Sequence, residues 1–124
     1  MTVLVIDDEE DIRLIAKVAL ETSGMTVLTA AGGEDGFLLA RRQRPDLIVL
    51  DIMMPVMDGY ATLDAIQRDP ATARIPVVML TGKSLAADDD ALRSRGVVAL
   101  ITKPFRPRAF AADVRAAIAS ARAT

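Results

Sequence analysis

At 124 residues with 52% hydrophobic content, the chain has the length of one domain and enough apolar side chains for a sizeable core. Its 15 basic and 17 acidic residues are interspersed and leave a net charge of −2, so no basic patch indicates direct binding to nucleic acid. The absence of cysteine and histidine excludes a disulfide framework, the usual kinds of zinc site and a Ser/His triad. No apolar run approaches ~18 residues, which predicts no membrane insertion and a cytoplasmic location.

The first half of the chain alternates short apolar runs with segments of helical periodicity. Three apolar runs predict buried strands, at residues 3–6, 25–29 and 47–50. Two amphipathic helices are predicted between them, the first ending near Gly24 and the second running from Gly32-Gly33 to about Arg44. The residues expected to face inward are Ile12, Ile15, Ala16, Ala19 and Leu20 in the first helix and Phe37, Leu38 and Ala40 in the second.

The second half continues this alternation. Two more apolar runs predict strands at residues 75–80 and 97–101. The signals at the helix ends are Asp58-Gly59 and Asp69-Pro70 for the third helix, Gly96 for the fourth and Pro107 for the fifth. The predicted inward residues are Leu63 and Ile66 in the third helix and Phe110, Val114, Ala117, Ile118 and Ala121 in the fifth. The fourth helix, at residues 85–95, is expected to be loosely held because its apolar content is Leu85, Leu92 and alanines.

Strand and helix therefore alternate five times. Strands that are continuous apolar runs are typical of a parallel sheet with helices on both faces, so we predict one α/β domain over residues 1–124. In such sheets, ligands bind beyond the carboxyl ends of the strands. The residues expected there, after strands one, three, four and five, are Asp7-Asp8, Asp51, Thr81 and Lys103.

A metal site is predicted at this edge, because carboxylates brought together repel one another. At ~4 Å and an effective dielectric of ~20, each pair costs roughly 4 kcal/mol, so a cation is required. Oxygen ligands without histidine or cysteine select a hard ion, and Mg²⁺ (or Mn²⁺) fits best. We predict Asp8, Asp51 and the backbone carbonyl of Met53 as direct ligands, with Asp7 acting through a bound water. The alternative is that residues 7–11 are only an acidic helix N-terminus.

A phosphoryl group would account for the other polar residues of this edge. A carboxylate nucleophile, a bridging Mg²⁺, a lysine and a hydroxyl donor are the parts needed to accept a phosphoryl group. Asp51 is the predicted acceptor, and Thr81 and Lys103 would each bind one phosphoryl oxygen. Taken singly, these residues have plainer interpretations: an aspartate that caps a turn, a surface hydroxyl and a solvated lysine.

The chain resembles the response-regulator receiver domains, the CheY-like family that accepts phosphate from histidine kinases. The resemblance spans essentially all 124 residues. The motifs that carry it are Val-Leu-Val-Ile-Asp7-Asp8-Glu9, Asp51-Ile-Met-Met-Pro55-Val-Met-Asp58-Gly59, Thr81-Gly82 and Lys103-Pro104-Phe105. It implies a flavodoxin-like, doubly wound (βα)5 fold, a three-layer sandwich whose parallel strands follow the order 2-1-3-4-5. It also implies phosphorylation of Asp51 by a histidine kinase or phosphotransfer protein, and a cis peptide bond between Lys103 and Pro104.

Four positions of the resemblance bear on signal output and phosphate lifetime. The position three residues before the family's lysine is usually Tyr or Phe and moves inward on phosphorylation, but here it is Leu100. Gly82 follows the switch hydroxyl, where alanine is common, and keeps access to the phosphate open. Met53 and Lys83 occupy positions that tune phosphate lifetime in the family. Since Leu100 cannot repeat the aromatic movement, we expect the fourth helix to be the part that moves.

Three alternatives to a phosphorylated receiver account for parts of this sequence. A phosphatase of the haloacid-dehalogenase type would carry an Asp-x-Asp motif at the end of this strand. Here Met53 occupies the position of the second aspartate of that motif. A Rossmann nucleotide site needs glycines where this chain has acidic residues 7–10. The third alternative is a pseudo-receiver, a binding module that keeps the fold without phosphorylation. Incubation with acetyl phosphate and Mg²⁺ separates it from a true receiver, because only the latter gains a labile acyl phosphate.

The sequence thus predicts a signalling switch of a two-component system or phosphorelay rather than a conventional enzyme. No output domain is recognised, so we expect a stand-alone regulator that acts on an unidentified downstream protein. A phosphodonor is expected to cover an apolar rim around Asp51 that consists of Ile12, Leu14, Ile15, Val18 and Phe105. The plainer alternative is that Leu14 and Val18 are scattered surface residues.

Overall fold

Strands and helices alternate along the chain in the computed structural model, which describes residues 1–82 and 89–122. Within these residues the strands are Thr2–Ile6 (β1), Thr26–Ala30 (β2), Leu47–Asp51 (β3), Val77–Thr81 (β4) and Val97–Thr102 (β5). The helices are Glu10–Thr22 (α1), Gly33–Gln43 (α2), Gly59–Arg68 (α3), Asp89–Arg93 (α4) and Pro107–Arg122 (α5). None of these helices is both long enough and apolar enough to cross a membrane.

The strands form one parallel sheet in the order β2-β1-β3-β4-β5. The predicted flavodoxin-like, doubly wound order is therefore confirmed. The order reverses beside β1, which pairs with β2 on one side and with β3 on the other. Because β1 and β3 are parallel neighbours, the residues that follow them meet at one edge of the sheet, where ligands bind in open α/β folds.

The sheet is apolar on both faces, so helices must cover both. Alternate residues of β1 lie in different core clusters: Val3 and Val5 lie in one, and Leu4 and Ile6 in the other. The first cluster is completed by α1 and α5, with Leu20 and Phe110, and the second by α2, α3 and α4. The result is the predicted three-layer sandwich. Each fully buried Leu, Ile or Val contributes about 1.5–3 kcal/mol to its stability.

Two residues predicted to face inward are exposed. Ile15 is 41% exposed, since Ala16, Ala19 and Leu20 form the buried face of α1 and Ile15 lies at its margin. Leu38 is 46% exposed. The buried residues of α2 are small ones, Gly33, Gly36 and Ala40. A Cβ at Gly36 would lie 2.5 Å from the Ile6 side chain, so α2 approaches the sheet through glycine rather than through a large side chain.

The ends of the elements follow the predicted signals closely. Gly24 and Gly96 adopt left-handed conformations, with φ of 89° and 85°. The side chain of Asp58 caps α3 by accepting a hydrogen bond from the Ala61 amide at 2.9 Å. The fourth helix was predicted at residues 85–95 and is described over Asp89–Arg93, while Lys83 and Leu85 lie outside the described residues.

Candidate functional site

Asp51 ends β3, in which every residue is buried. Its side chain is 3% exposed. One carboxylate oxygen, Oδ1, accepts a hydrogen bond from the Met53 amide at 3.3 Å. The other, Oδ2, is buried and has no hydrogen-bond partner among the described residues. Since a buried polar atom without a partner is costly, this oxygen is suited to an incoming group or ion.

Asp7 and Asp8 follow β1, beside Asp51. Asp7 is fully buried, and its Oδ1 accepts a hydrogen bond from the Glu9 amide at 2.9 Å. Its backbone carbonyl accepts a second hydrogen bond, from Nη1 of Arg13 at 2.8 Å. Asp8 is exposed. The first strand therefore presents one fixed, buried carboxylate and one open to solvent.

Lys103 is the cation of this edge. Its Nζ lies 2.8 Å from Asp7 Oδ2, 3.1 Å from Glu9 Oε1 and 3.3 Å from Asp51 Oδ1. The lysine side chain is only 14% exposed. A lysine from the end of the fifth strand thus links carboxylates from the ends of the first and third strands.

The other positions for which the resemblance implies a role are Thr81 and Gly82 at the same edge and Leu100 within β5. The Lys103 amide donates a hydrogen bond to the Thr81 carbonyl at 2.7 Å, and the peptide bond between Lys103 and Pro104 is cis. Thr81 is buried, with 5% exposure. A Cβ at Gly82 would meet no atom of the described residues within 4 Å, so these residues leave room for a side chain as small as alanine. Leu100 is half-buried and packs against the core cluster on the α2 side of the sheet.

Asp51 and Lys103 both have pKa values that differ from their ordinary values. Burial, followed by repulsion from Asp7, raises the pKa of Asp51 from 3.8 to about 6, although Lys103 and the Met53 amide oppose the rise. Burial by itself would lower the pKa of Lys103, but its contacts with the carboxylates of Asp7 and Glu9 raise it. At pH 7 the lysine is therefore charged and most Asp51 carboxylates are ionised.

The acidic cluster suits a hard divalent cation. One carboxylate oxygen from each member lies within 4.8 Å of those of the others, and the members are Asp7, Asp8, Glu9 and Asp51. Oδ2 of Asp7 is also buried, but it is paired with Lys103 Nζ at 2.8 Å, so Oδ2 of Asp51 is the buried carboxylate oxygen of the cluster without a partner among the described residues. Oxygen-only donors that include an unpartnered buried oxygen match the preferences of Mg²⁺. The direct ligand roles of Asp8, Asp51 and the Met53 carbonyl, and the water-mediated role of Asp7, stay predictions.

Three residues of the site were missed by the sequence analysis. Glu9 contacts Lys103. Glu9 belongs to the motif that follows the first strand, but no role in the site was predicted for it from the sequence. Arg13 bonds the Asp7 carbonyl, a contact without a sequence signal. Gly59 was interpreted only as a helix start, yet a Cβ there would lie 2.4 Å from the Asp51 carbonyl oxygen. Glycine at this position therefore allows α3 to approach the end of β3.

An apolar groove of about 360 Å³ lies between α1 and α5. Its lining includes three exposed apolar side chains, Leu14, Ile15 and Val18, with Pro107 and Ala111 opposite. Two members of the predicted apolar rim lie elsewhere, because Ile12 and Phe105 pack against the core, and Phe105 stacks on Phe110 at 4.3 Å. The exposed apolar side chains of α1 thus line a groove between two helices.

Comparison with known proteins gave three kinds of match. The family model for the response regulator receiver domain matches residues 3–115. The alkaline phosphatase synthesis transcriptional regulatory protein PhoP of Bacillus subtilis is 39% identical over 114 residues, covering 92% of this chain and 47% of that protein. The transcriptional regulatory protein AfsQ1 of Streptomyces coelicolor is 38% identical over 117 residues, covering 94% of this chain and 51% of that protein. The chemotaxis protein CheY4 of Vibrio cholerae superimposes with a TM-score of 0.86 at 28% identity, covering 94% of this chain and 97% of that one.

The chain spans about half the length of the curated relatives that it matches, between 44% and 51% for the first three. Its match to the chemotaxis protein, in contrast, covers nearly all of both chains. The similarity to the curated relatives therefore concerns about half of the length of each of them.

Proposed function

The chain belongs to the response regulator receiver domain family of two-component systems, and from this we propose that it is a switch operated by Mg²⁺-dependent phosphorylation of Asp51. The phosphoryl donor would be a histidine kinase or a histidine phosphotransfer protein. The phosphorylated form would bind a downstream protein differently from the unphosphorylated one. In this proposal the chain is a signalling domain rather than a conventional enzyme, acting in the cytoplasm.

The observation that carries the proposal is the state of the Asp51 carboxylate. It is buried at the sheet edge, its Oδ2 is without a hydrogen bond among the described residues, and Lys103 Nζ lies 3.3 Å from its Oδ1. A carboxylate that served only the fold would be expected to have its oxygens bonded, as buried polar groups usually are. This one retains an oxygen for a new bond.

In the proposed transfer, a carboxylate oxygen of Asp51 attacks the phosphorus of the donor. A phosphorus–oxygen bond forms to Asp51 while the bond from phosphorus to the donor breaks, and the donor retains that electron pair. Lys103 would pair with one phosphoryl oxygen, and the Thr81 hydroxyl would donate a hydrogen bond to another. A bound Mg²⁺ would supply charge neutralisation for the remaining oxygen. Asp8, Asp51 and the Met53 backbone carbonyl would hold this cation directly, and Asp7 would hold it through a bound water.

The test is incubation with acetyl phosphate, with and without Mg²⁺, followed by intact-mass measurement and hydroxylamine treatment. We expect a hydroxylamine-labile phosphoryl adduct only when Mg²⁺ is present, and none in Asp51→Asn. Asp58→Asn is the matched control, because Asp58 caps α3 and asparagine caps a helix equally well. A folded wild-type protein that gains no adduct would support the pseudo-receiver alternative, and an adduct on Asp51→Asn would show that Asp51 is not the acceptor.

The groove between α1 and α5 is the proposed docking surface for the phosphodonor. Its exposed members Leu14 and Val18, 59% and 54% exposed, have no partner in the core and are spaced one helical turn apart. An apolar helix face of a donor protein would bury them. Covering this groove would bring the donor to the first helix, which begins directly beside Asp7 and Asp8.

Donor docking is tested with Leu14→Glu plus Val18→Glu. We expect slower transfer from a phosphohistidine donor but unchanged phosphorylation by acetyl phosphate, because the small molecule needs no docking surface. Leu38→Glu is the control, since Leu38 is 46% exposed on α2 and lies outside the groove. Equal transfer to the double variant and to wild type would assign Leu14 and Val18 to the ordinary apolar surface of the domain.

Signal output is proposed to involve α4. Leu92 of α4 is buried in one of the two core clusters, and Leu100 packs against the same cluster. If a phosphoryl group draws Thr81 inward, Leu100 and this cluster would transmit the change to α4. Beryllofluoride is expected to alter amide exchange most over residues 82–96, of which the structure describes 82 and 89–96. Leu100→Tyr is expected to change the size of this response, and a change confined to the Asp51 pocket would contradict the proposal.

A further inference from the structure

Glu9 is the one member of the acidic cluster to which the proposed transfer assigns no role. Its carboxylate accepts a hydrogen bond from Lys103 Nζ at 3.1 Å, across 94 positions of sequence. Lys103 is also the residue that a phosphoryl group would need. The contact therefore occupies, in this structure, a donor that the proposed function assigns to the phosphoryl group.

The backbone around Glu9 is fixed at both sides of the residue. Its amide donates to Asp7 Oδ1 at 2.9 Å, and its carbonyl accepts from the Arg13 amide at 3.1 Å in the first turn of α1. The side chain makes no helix-capping hydrogen bond. With the backbone held, the length of the glutamate side chain determines whether its carboxylate reaches Lys103.

The partners of Lys103 differ in how readily they could release it. Asp7 and Asp51 have side chains that are 0% and 3% exposed, whereas the Glu9 side chain is 59% exposed. A lysine ammonium has three N–H donors, and three carboxylates surround this one. A new phosphoryl oxygen must therefore displace a partner or share a donor. Glu9 is the partner whose carboxylate can turn into water at least cost.

We propose that Glu9 is a positioning residue that holds Lys103 in the unphosphorylated state and competes with the phosphoryl oxygens for its ammonium. This inference rests on the proposed function, and it adds a residue that limits how strongly the site retains a phosphoryl group. Glu9 also adds a negative charge to the cluster, which opposes a dianionic group. Removing the carboxylate would free the lysine and relieve that repulsion.

The expected effect is moderate, because the pair is partly exposed to solvent. Ion pairs of this kind change an equilibrium by roughly two- to five-fold. Glu9→Gln is therefore expected to bind beryllofluoride two- to five-fold more tightly than wild type at saturating Mg²⁺. Beryllofluoride is the probe because it adds to the acceptor carboxylate without chemical turnover, and NMR titration of the full chain gives the affinity.

Two further variants distinguish loss of the ion pair between Glu9 and Lys103 from loss of a negative charge as the cause of tighter binding. Glu9→Asp keeps the negative charge but shortens the side chain, so it is expected to lose the contact with Lys103 and bind beryllofluoride more tightly, as Glu9→Gln does. Glu10→Gln removes an equal charge from the next residue. Glu10 is exposed and forms no ion pair with any of the described residues. This variant is expected to match wild type. Thermal melts without ligand should agree among all four proteins, which would exclude a change in folding.

The outcomes distinguish this inference from its premise. Wild-type protein that fails to bind beryllofluoride would overturn the proposed function itself, and the inference with it. If wild type binds, equal affinity in Glu9→Gln would overturn the inference alone. Weaker binding of both Mg²⁺ and beryllofluoride by Glu9→Gln would instead make Glu9 a metal ligand. Glu9→Asp could bind beryllofluoride as wild type does while Glu9→Gln binds it more tightly. That result would mean that the negative charge of residue 9 alone causes the effect, and it would overturn the proposal that Glu9 competes for Lys103.

Discussion

The ends of β1 and β3 each carry a buried aspartate, but the two carboxylates are held differently. Asp7, after β1, accepts a 2.9 Å hydrogen bond from the Glu9 amide on one oxygen and lies 2.8 Å from Lys103 with the other. Among the described residues, the side chain of Asp51, at the end of β3, has contacts of 3.3 Å to the Met53 amide and to Lys103, and both involve the same oxygen. Neighbouring strands thus present one tightly bonded and one weakly bonded carboxylate.

Under the proposed function, this difference would let one acidic edge provide both the structure of the site and the carboxylate that accepts the phosphoryl group. The carboxylate with strong contacts fixes the lysine and shapes the pocket. The weakly bonded one has a raised pKa because its burial and the neighbouring charge are not fully compensated. The reactivity proposed for it would therefore be obtained at the expense of folding stability, and substitution can measure that cost.

The largest expected effect comes from removing the weakly bonded carboxylate. Because folding raises the pKa of Asp51 from 3.8 to about 6, its contribution to stability is present below pH 3.8 and is lost as the pH rises through 6. Asp51→Asn removes this loss. Without Mg²⁺ we expect the variant to be more stable than wild type at pH 7 by up to about 3 kcal/mol, measured by urea unfolding.

The pH dependence is the control for this prediction. The stability difference between Asp51→Asn and wild type should be largest at pH 7 and should shrink toward zero as the pH falls below 3.8, where Asp51 becomes protonated in both folded and unfolded chains. A difference that does not vary between pH 4 and 7 would attribute the effect to packing instead of to charge.

Mg²⁺ is expected to offset the same repulsion by binding. A ligand that binds only the folded state at ~100 times its Kd adds roughly 2.7 kcal/mol, so millimolar Mg²⁺ should raise the melting temperature clearly. Asp8→Asn should weaken this response, because Asp8 is the exposed carboxylate of the cluster and a predicted direct ligand. A melt unmoved by Mg²⁺, but shifted upward by Asp8→Asn, would mean that the cluster is strained without binding metal.

Asp7→Asn tests the strongly bonded side of the comparison. The amide still accepts the Glu9 hydrogen bond but loses the charge that faces Lys103 at 2.8 Å. We expect a loss of about 1 to 2 kcal/mol in the free energy of unfolding, opposite in sign to Asp51→Asn, because a charged hydrogen-bonding contact of the buried lysine is removed. If both substitutions stabilise the protein equally, the distinction between the two aspartates is wrong.

The smallest expected effect lies in the loop after β3. Val56 has φ of 67° and is fully exposed, and a β-branched residue in this left-handed region is strained. Val56→Gly should stabilise the protein by about 0.5 to 1 kcal/mol, part of the relief being offset by the greater freedom of glycine in the unfolded chain. Val56→Ala serves as the control, since it shortens the side chain while keeping most of the backbone strain, and should gain less.

The sequence alone predicted the architecture and most of the site. Runs such as residues 47–50 have no polar side, so the strands had to be covered on both faces, and this requirement led to the parallel sheet that the structure confirms. Parallel strands end at a common edge, so Asp7, Asp8, Asp51, Thr81 and Lys103 could be grouped from their positions after apolar runs. These inferences depend only on local patterns and on chain direction.

Only the tertiary structure decided how closely elements approach and which charges pair. Periodicity favoured Leu38 as a core residue, but α2 packs through Gly33 and Gly36, because backbone proximity depends on a neighbour distant in sequence. The contact between Glu9 and Lys103 joins residues 94 positions apart, and the side chains meet because folding places both at one sheet edge. Local patterns specify which face of an element is apolar, whereas pair distances result from how all the elements pack at once.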